Sequence, residues 1–105
     1  MAMDVRGTWH LKQSNGALVR LDIMEDPDGT FGGSRASYDG VTGTIDDARA
    51  TDSEITFRVP WSNGPVGRYV GRFDFQGRLT GVTFAEGHPE SQATWVVDEK
   101  TFGRM

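Results

Sequence analysis

Apolar and polar positions alternate along most of this chain. From Glu54 to Trp61, Ile55, Phe57, Val59 and Trp61 share one face, while Glu54, Thr56 and Arg58 share the other. Ala17 to Met24 repeats the pattern, with Val19, Leu21 and Ile23 opposite Arg20 and Asp22. Arg68 to Asp74 sets Tyr69, Gly71 and Phe73 against Arg68, Arg72 and Asp74. A period of two with one apolar face describes strands of a sheet with one buried side. The best helix candidate, Asp46 to Ala50, is too short and too acidic, so no helix beyond a single turn is expected.

Turn chemistry separates the strands. Asn15-Gly16 and Asn63-Gly64 each follow a serine and suit the positive φ angles of a type I′ turn. Asp26-Pro27-Asp28-Gly29 starts a turn with proline and closes it with glycine. Asp39-Gly40, Asp52-Ser53 and Phe75-Gln76-Gly77 complete the set. The predicted strands are Gly7–Gln13, Ala17–Met24, Thr30–Ser37, Val41–Asp47, Glu54–Trp61, Gly67–Asp74, Arg78–Ala85 and Gln92–Asp98. Sequential hairpins of this kind would expose two long edges as an open sheet. Closure removes them, and the alternative, a two-sheet sandwich, wants longer crossover loops than this chain offers. The expected fold is therefore all-β: one eight-stranded antiparallel up-and-down β-barrel spanning residues 1–105.

The 105-residue length suits one domain with a modest core. The absence of Cys excludes a disulfide scaffold, a thiol nucleophile and a thiolate metal site. A net charge of −4 argues against nucleic acid as a partner. No apolar run approaches the roughly 20 residues of a membrane helix. The opening Met1-Ala2-Met3-Asp4-Val5-Arg6 lacks an apolar signal core, so the expected location is cytoplasmic, unless the chain is already processed.

Gly7-Thr8-Trp9, at the start of the first strand, resembles the Gly-x-Trp opening of the calycins: lipocalins, fatty-acid-binding proteins and avidins. The ending Thr101-Phe102-Gly103-Arg104 is similar to that of avidin-like chains, as are Phe57-Arg58-Val59-Pro60-Trp61, Tyr69-Val70-Gly71-Arg72-Phe73 and Ala93-Thr94-Trp95. The resemblance implies a ligand-holding barrel with Trp9 closing one end and Arg104 packed across it by a cation–π contact. The biotin-binding residues are not kept. Leu11 stands where avidin-like chains place an Asn, and Arg68 and Arg72 fall in the strand that they make rich in Ser, Thr and Trp.

Inward alternation makes Trp61, Tyr69, Trp95, Phe57 and Phe73 candidate walls of a small-molecule cavity, or else the filling of a closed core. Gln13 lies in register with Trp9 and Leu11, so it either contacts a ligand or satisfies backbone near the open end. His88 lies among carboxylates in Glu86-Gly87-His88-Pro89-Glu90, a candidate general base or an exposed loop residue. No serine sits in a nucleophile elbow, and the two histidines form no metal signature, so no metal or cofactor is expected.

The leading functional expectation is a barrel that binds a small apolar or amphipathic ligand in an aromatic-lined interior. The alternative is a small cyclase- or isomerase-type enzyme that positions its substrate, with Tyr69, His88 or Glu86 as acid or base. The third is a protein or carbohydrate interaction module. Met24, Val70, Val82, Phe84 and Val96 are expected to point outward, a candidate homodimer face.

Overall fold

The computed structural model describes residues 2–105. Among the described residues, nine strands form one antiparallel sheet: β1 (Gly7–Gln13), β2 (Leu18–Ile23), β3 (Arg35–Tyr38), β4 (Val41–Thr44), β5 (Asp46–Ala50), β6 (Glu54–Pro60), β7 (Val66–Phe73), β8 (Leu79–Ala85) and β9 (His88–Val97). The spatial order is β4-β3-β2-β1-β9-β8-β7-β6-β5. The sheet curls until its ends nearly meet.

The seam explains why nine strands replace the eight expected from the alternation. β4 and β5 are separated only by Ile45 and run on as one bent segment. Its first half pairs with β3 and its second with β6. Gly43 bridges to Trp61, and the Ser62 N–H donates to the Thr42 carbonyl at 2.7 Å. One bent segment thus borders both edges of the sheet. Asp47 takes a φ of 47°, and the register slips between Asp46 and Arg49. A bulge of this kind bends a strand sharply. The Asp46–Ala50 stretch, the best helix candidate, is strand.

Other boundaries move for local reasons. The third strand begins at Arg35 rather than Thr30, because Phe31 to Ser34 leave the ladder. Phe31 is buried there, and the Ser34 hydroxyl accepts the Met24 N–H at 2.9 Å. The last strand begins at His88 rather than Gln92, since Glu86-Gly87 already closes a tight hairpin and Ala85 pairs with His88.

Four connections share one design, which differs from the type I′ turn expected at Asn15-Gly16 and Asn63-Gly64. Bonds from the Gln13, Asp26, Trp61 and Asp74 N–H groups to the carbonyls of Ala17, Thr30, Pro65 and Arg78 each bracket a three-residue loop. Only the closing Gly16, Gly29, Gly64 and Gly77 have positive φ. This is the type I turn followed by a left-handed glycine. The two-residue I′ geometry occurs at Asp39-Gly40, where both φ angles are positive.

Inward alternation holds as read: Trp9 and Leu11, Val19, Leu21 and Ile23, Ile55, Phe57 and Val59, Ala93, Trp95 and Val97 are all buried. Met24, Val70 and Val96 are exposed, on the outward side expected for them. One end of the barrel is plugged by the two terminal segments. Met3 bridges to Arg104, and Phe102 and Met3 are buried there. Trp9 lies beneath this plug, with Phe102 edge-on to it at 5.0 Å. The expected cation–π contact from Arg104 is not what seals Trp9. Among the described residues, the cation–π pair at this end is Lys100 over Phe102, at 4.7 Å.

Candidate functional site

Up-and-down topology sends alternate turns to opposite ends. The β1–β2, β3–β4, β6–β7 and β8–β9 turns gather at the end away from the plug. Between them lies a recess of about 210 Å³, lined by Gln13, Asn15, Tyr38, Trp61, Tyr69 and Thr83 together with smaller side chains. Ligand pockets are commonly about 300–1,000 Å³, so this one suits a small guest. Below it the barrel is filled: Leu11, Leu21, Ile55 and Val59 are fully enclosed.

Trp61 and Tyr69 are held from behind. Trp61 follows β6 at the seam and meets Tyr38 edge-on, with ring centroids 4.7 Å apart. Tyr69, on β7, stacks flat on Phe57 at 4.7 Å, and Phe57 in turn meets Phe31. Gly67 makes the meeting of Trp61 and Tyr69 possible. A Cβ there would lie 2.9 Å from the Tyr69 ring and 3.1 Å from Trp61 Nε1.

The Tyr69 hydroxyl is a buried polar group of the recess wall. It donates to Gln13 Oε1 at 3.4 Å, a long bond that a better acceptor would displace. Burial pushes its pKa up to about 12, with Thr83 and Trp61 beside the phenol acting in the opposite sense. The phenol is therefore neutral throughout the physiological range. Gln13 Nε2 donates to Asn15 Oδ1 at 3.2 Å, which ties the β1–β2 turn to the recess. None of the described residues lining the recess is Asp, Glu, Lys, Arg or His.

Of the residues singled out from the sequence, Trp61, Tyr69 and Gln13 converge here. Phe57 stands one layer behind, against Tyr69. Trp95 does not line the recess. Its ring fills the space beside Gly71 and Gly81, where a Cβ on either glycine would come within 2.4 Å of it. Its indole N–H is buried without a partner among the described residues, which nothing in the structure explains. Phe73 belongs to the opposite end, 5.6 Å from Phe102. Glu86 and His88 are exposed on the β8–β9 hairpin and do not line the recess. Glu86 accepts from Arg58 at 3.0 Å, and His88 pairs with Glu90.

Tyr38, Asn15 and Thr83 were not singled out from the sequence. Tyr38 and Thr83 carried a signal, since each continues the inward alternation of Ala36 and Gly81. A larger concavity, of about 770 Å³, lies on the outer wall over β1, β9, β8 and β7, along Val70, Val82 and Val96. It is an open groove whose lining holds one aromatic residue, Trp95, and one amide, Gln13, among valines, threonines and the charged Lys12 and Arg72. Among the described residues, no cluster of His, Asp or Glu could hold a metal ion.

No protein-family model, curated protein or solved structure matches this chain.

Proposed function

We propose that this chain is a small-molecule-binding barrel that holds a small amphipathic ligand at its unplugged end, against Trp61, Tyr69 and Gln13. The observation that carries the reading is the convergence of two aromatic rings and an amide on one recess, above an interior that is otherwise packed. Trp61 is 8% exposed and Tyr69 3%. A guest therefore contacts a narrow aromatic face and a few polar tips, the mixture typical of small-molecule sites. The packed interior limits the guest to the outermost layer of the barrel.

The test is a screen of uncharged fragments by protein-observed NMR. Fragments of about ten non-hydrogen atoms, at roughly 0.3–0.5 kcal/mol per atom, bind in the millimolar range. Binders should shift the Trp61 indole N–H and the Gln13 side-chain amide, and leave the Trp9 indole unmoved. A library that shifts neither Trp61 nor Gln13 would overturn the reading.

A further inference from the structure

The recess walls carry a restricted chemistry. Two of its hydroxyls are already committed within the fold. Thr83 Oγ1 donates to the Arg68 carbonyl at 2.8 Å. Ser91 Oγ donates to the His88 carbonyl at 2.7 Å and accepts the Ala85 N–H. What faces a guest is the Gln13 and Asn15 amides, the Tyr69 hydroxyl and the Trp61 indole N–H. All four are neutral and hydrogen-bonding. The charges nearby are paired off outside the recess: Arg58 with Asp46 and Glu86, and Lys12 with Asp98.

This set selects a ligand in two steps. An ionised group entering the recess would lose hydration and gain no counter-charge, so charged ligands are disfavoured. The fold itself links Tyr69 to Gln13 and Gln13 to Asn15, but a wholly apolar ligand would strip water from the remaining amide N–H groups of Gln13 and Asn15 and give them no acceptor. The favoured guest is uncharged. It offers an apolar face to the Trp61 and Tyr38 rings, and carries groups that both donate and accept toward the amides. Hydroxyls on a saturated ring supply both properties, and one such ring is in keeping with a recess of about 210 Å³.

We infer that the recess takes a single uncharged sugar unit, as a free monosaccharide or as the terminal residue of a glycan. This inference rests on the recess being the binding site, as proposed above.

The experiment titrates the folded chain with methyl glycosides of glucose, galactose, mannose and N-acetylglucosamine. Glucuronic acid and glucosamine serve as charged counterparts, and NMR is the readout at pH 7. At least one neutral glycoside should shift the Trp61 indole N–H and the Gln13 amide. Glucuronic acid should bind at least about tenfold more weakly and glucosamine, only partly protonated at pH 7, several-fold more weakly, because their charge is desolvated unpaired. Gln13→Ala, at a half-exposed position, should lose the glycoside shifts while keeping the folded spectrum. If the neutral fragments shift Trp61 and no glycoside does, the sugar assignment is overturned and the recess reading stands. Equal binding of glucuronic acid or glucosamine also overturns the sugar assignment. If neither fragments nor glycosides shift Trp61, both readings fall.

Discussion

Glu25 accepts the Val5 N–H at 2.7 Å through Oε1, and this side chain holds the first residues of the chain against the plugged end of the barrel. Its other oxygen, Oε2, is equally buried and has no partner among the described residues. Desolvation raises the Glu25 pKa above the ordinary glutamate value. The Val5 N–H opposes this, Asp4 adds to it and Arg6 lowers it.

A raised pKa means that the folded state favours the protonated acid. The stabilisation is complete below the unfolded pKa and is lost as pH rises through the folded one. The Glu25 contribution to melting temperature should therefore fall as pH climbs from about 4.3 through its folded pKa, against the opposite trend of the lowered aspartates Asp4, Asp22, Asp28, Asp74 and Asp98. Glu25→Gln should remove that contribution and melt above the unmodified chain at pH 7. A Gln variant with the same slope over this range would show that Glu25 does not contribute to it.

Trp9 donates its indole N–H to the Val5 carbonyl at 2.9 Å and takes Phe102 edge-on. Removing a fully buried aromatic of this kind costs about 3–5 kcal/mol. Trp9→Ala and Phe102→Ala should both lower the urea midpoint sharply. Their double-mutant cycle should return a coupling of about 0.5–1.5 kcal/mol for the ring pair. A coupling near zero would mean that the plug does not depend on this contact.

Gly16 and Gly77 occupy the same turn position with φ of 92° and 79°. Their surroundings differ. A Cβ on Gly16 meets nothing within 4 Å, whereas one on Gly77 would lie 2.1 Å from the Phe102 carbonyl oxygen. Gly16→Ala should cost about 1–2 kcal/mol, the left-handed penalty alone. Gly77→Ala should cost clearly more, because the carbonyl it strikes belongs to the plug. Equal losses in chemical denaturation would show that the plug yields freely.

Tyr69 keeps its proton to high pH, with a pKa of about 12. Because the folded value lies above the unfolded one near 10, its contribution to stability is full below pH 10 and fades as pH rises toward 12. Absorbance at 295 nm should show a late ionisation phase that Tyr69→Phe removes. The same variant should lose less than about 1.5 kcal/mol of stability, since the long bond to Gln13 is the one its hydroxyl donates. Loss of an early phase instead would place the phenol in water.

The recess was only half legible in the sequence. Trp61, Tyr69 and Gln13 could be read from alternation, because a period of two assigns a side chain to the inside wherever the strand lies. Trp95 and Phe73 satisfy the same rule and stand elsewhere. Depth along the barrel sets Phe73 apart, and the direction of its ring sets Trp95 apart. Gln13 pairs with Trp95, and Trp95 with Gly81, so the Trp95 ring spends itself filling the space left by two glycines. Phe73 lies at the far end of β7 and meets the plug. Periodicity carries no information about which end of a strand faces which turn cluster.

The sequence by itself determined the all-β class, the inward and outward faces and nearly every turn, because these depend on contacts between residues close along the chain. Tertiary structure alone decided three things. It made one bent segment, β4 and β5, border both edges of the sheet, through a bulge at Asp47 that no local pattern announces. It placed Phe102 rather than Arg104 on Trp9, since a buried ring excludes water where a guanidinium would keep it. It left one end of the barrel plugged by the terminal segments and the other open at Trp61 and Tyr69. These outcomes join residues far apart in the chain, and packing selects among partners that the local pattern leaves equivalent.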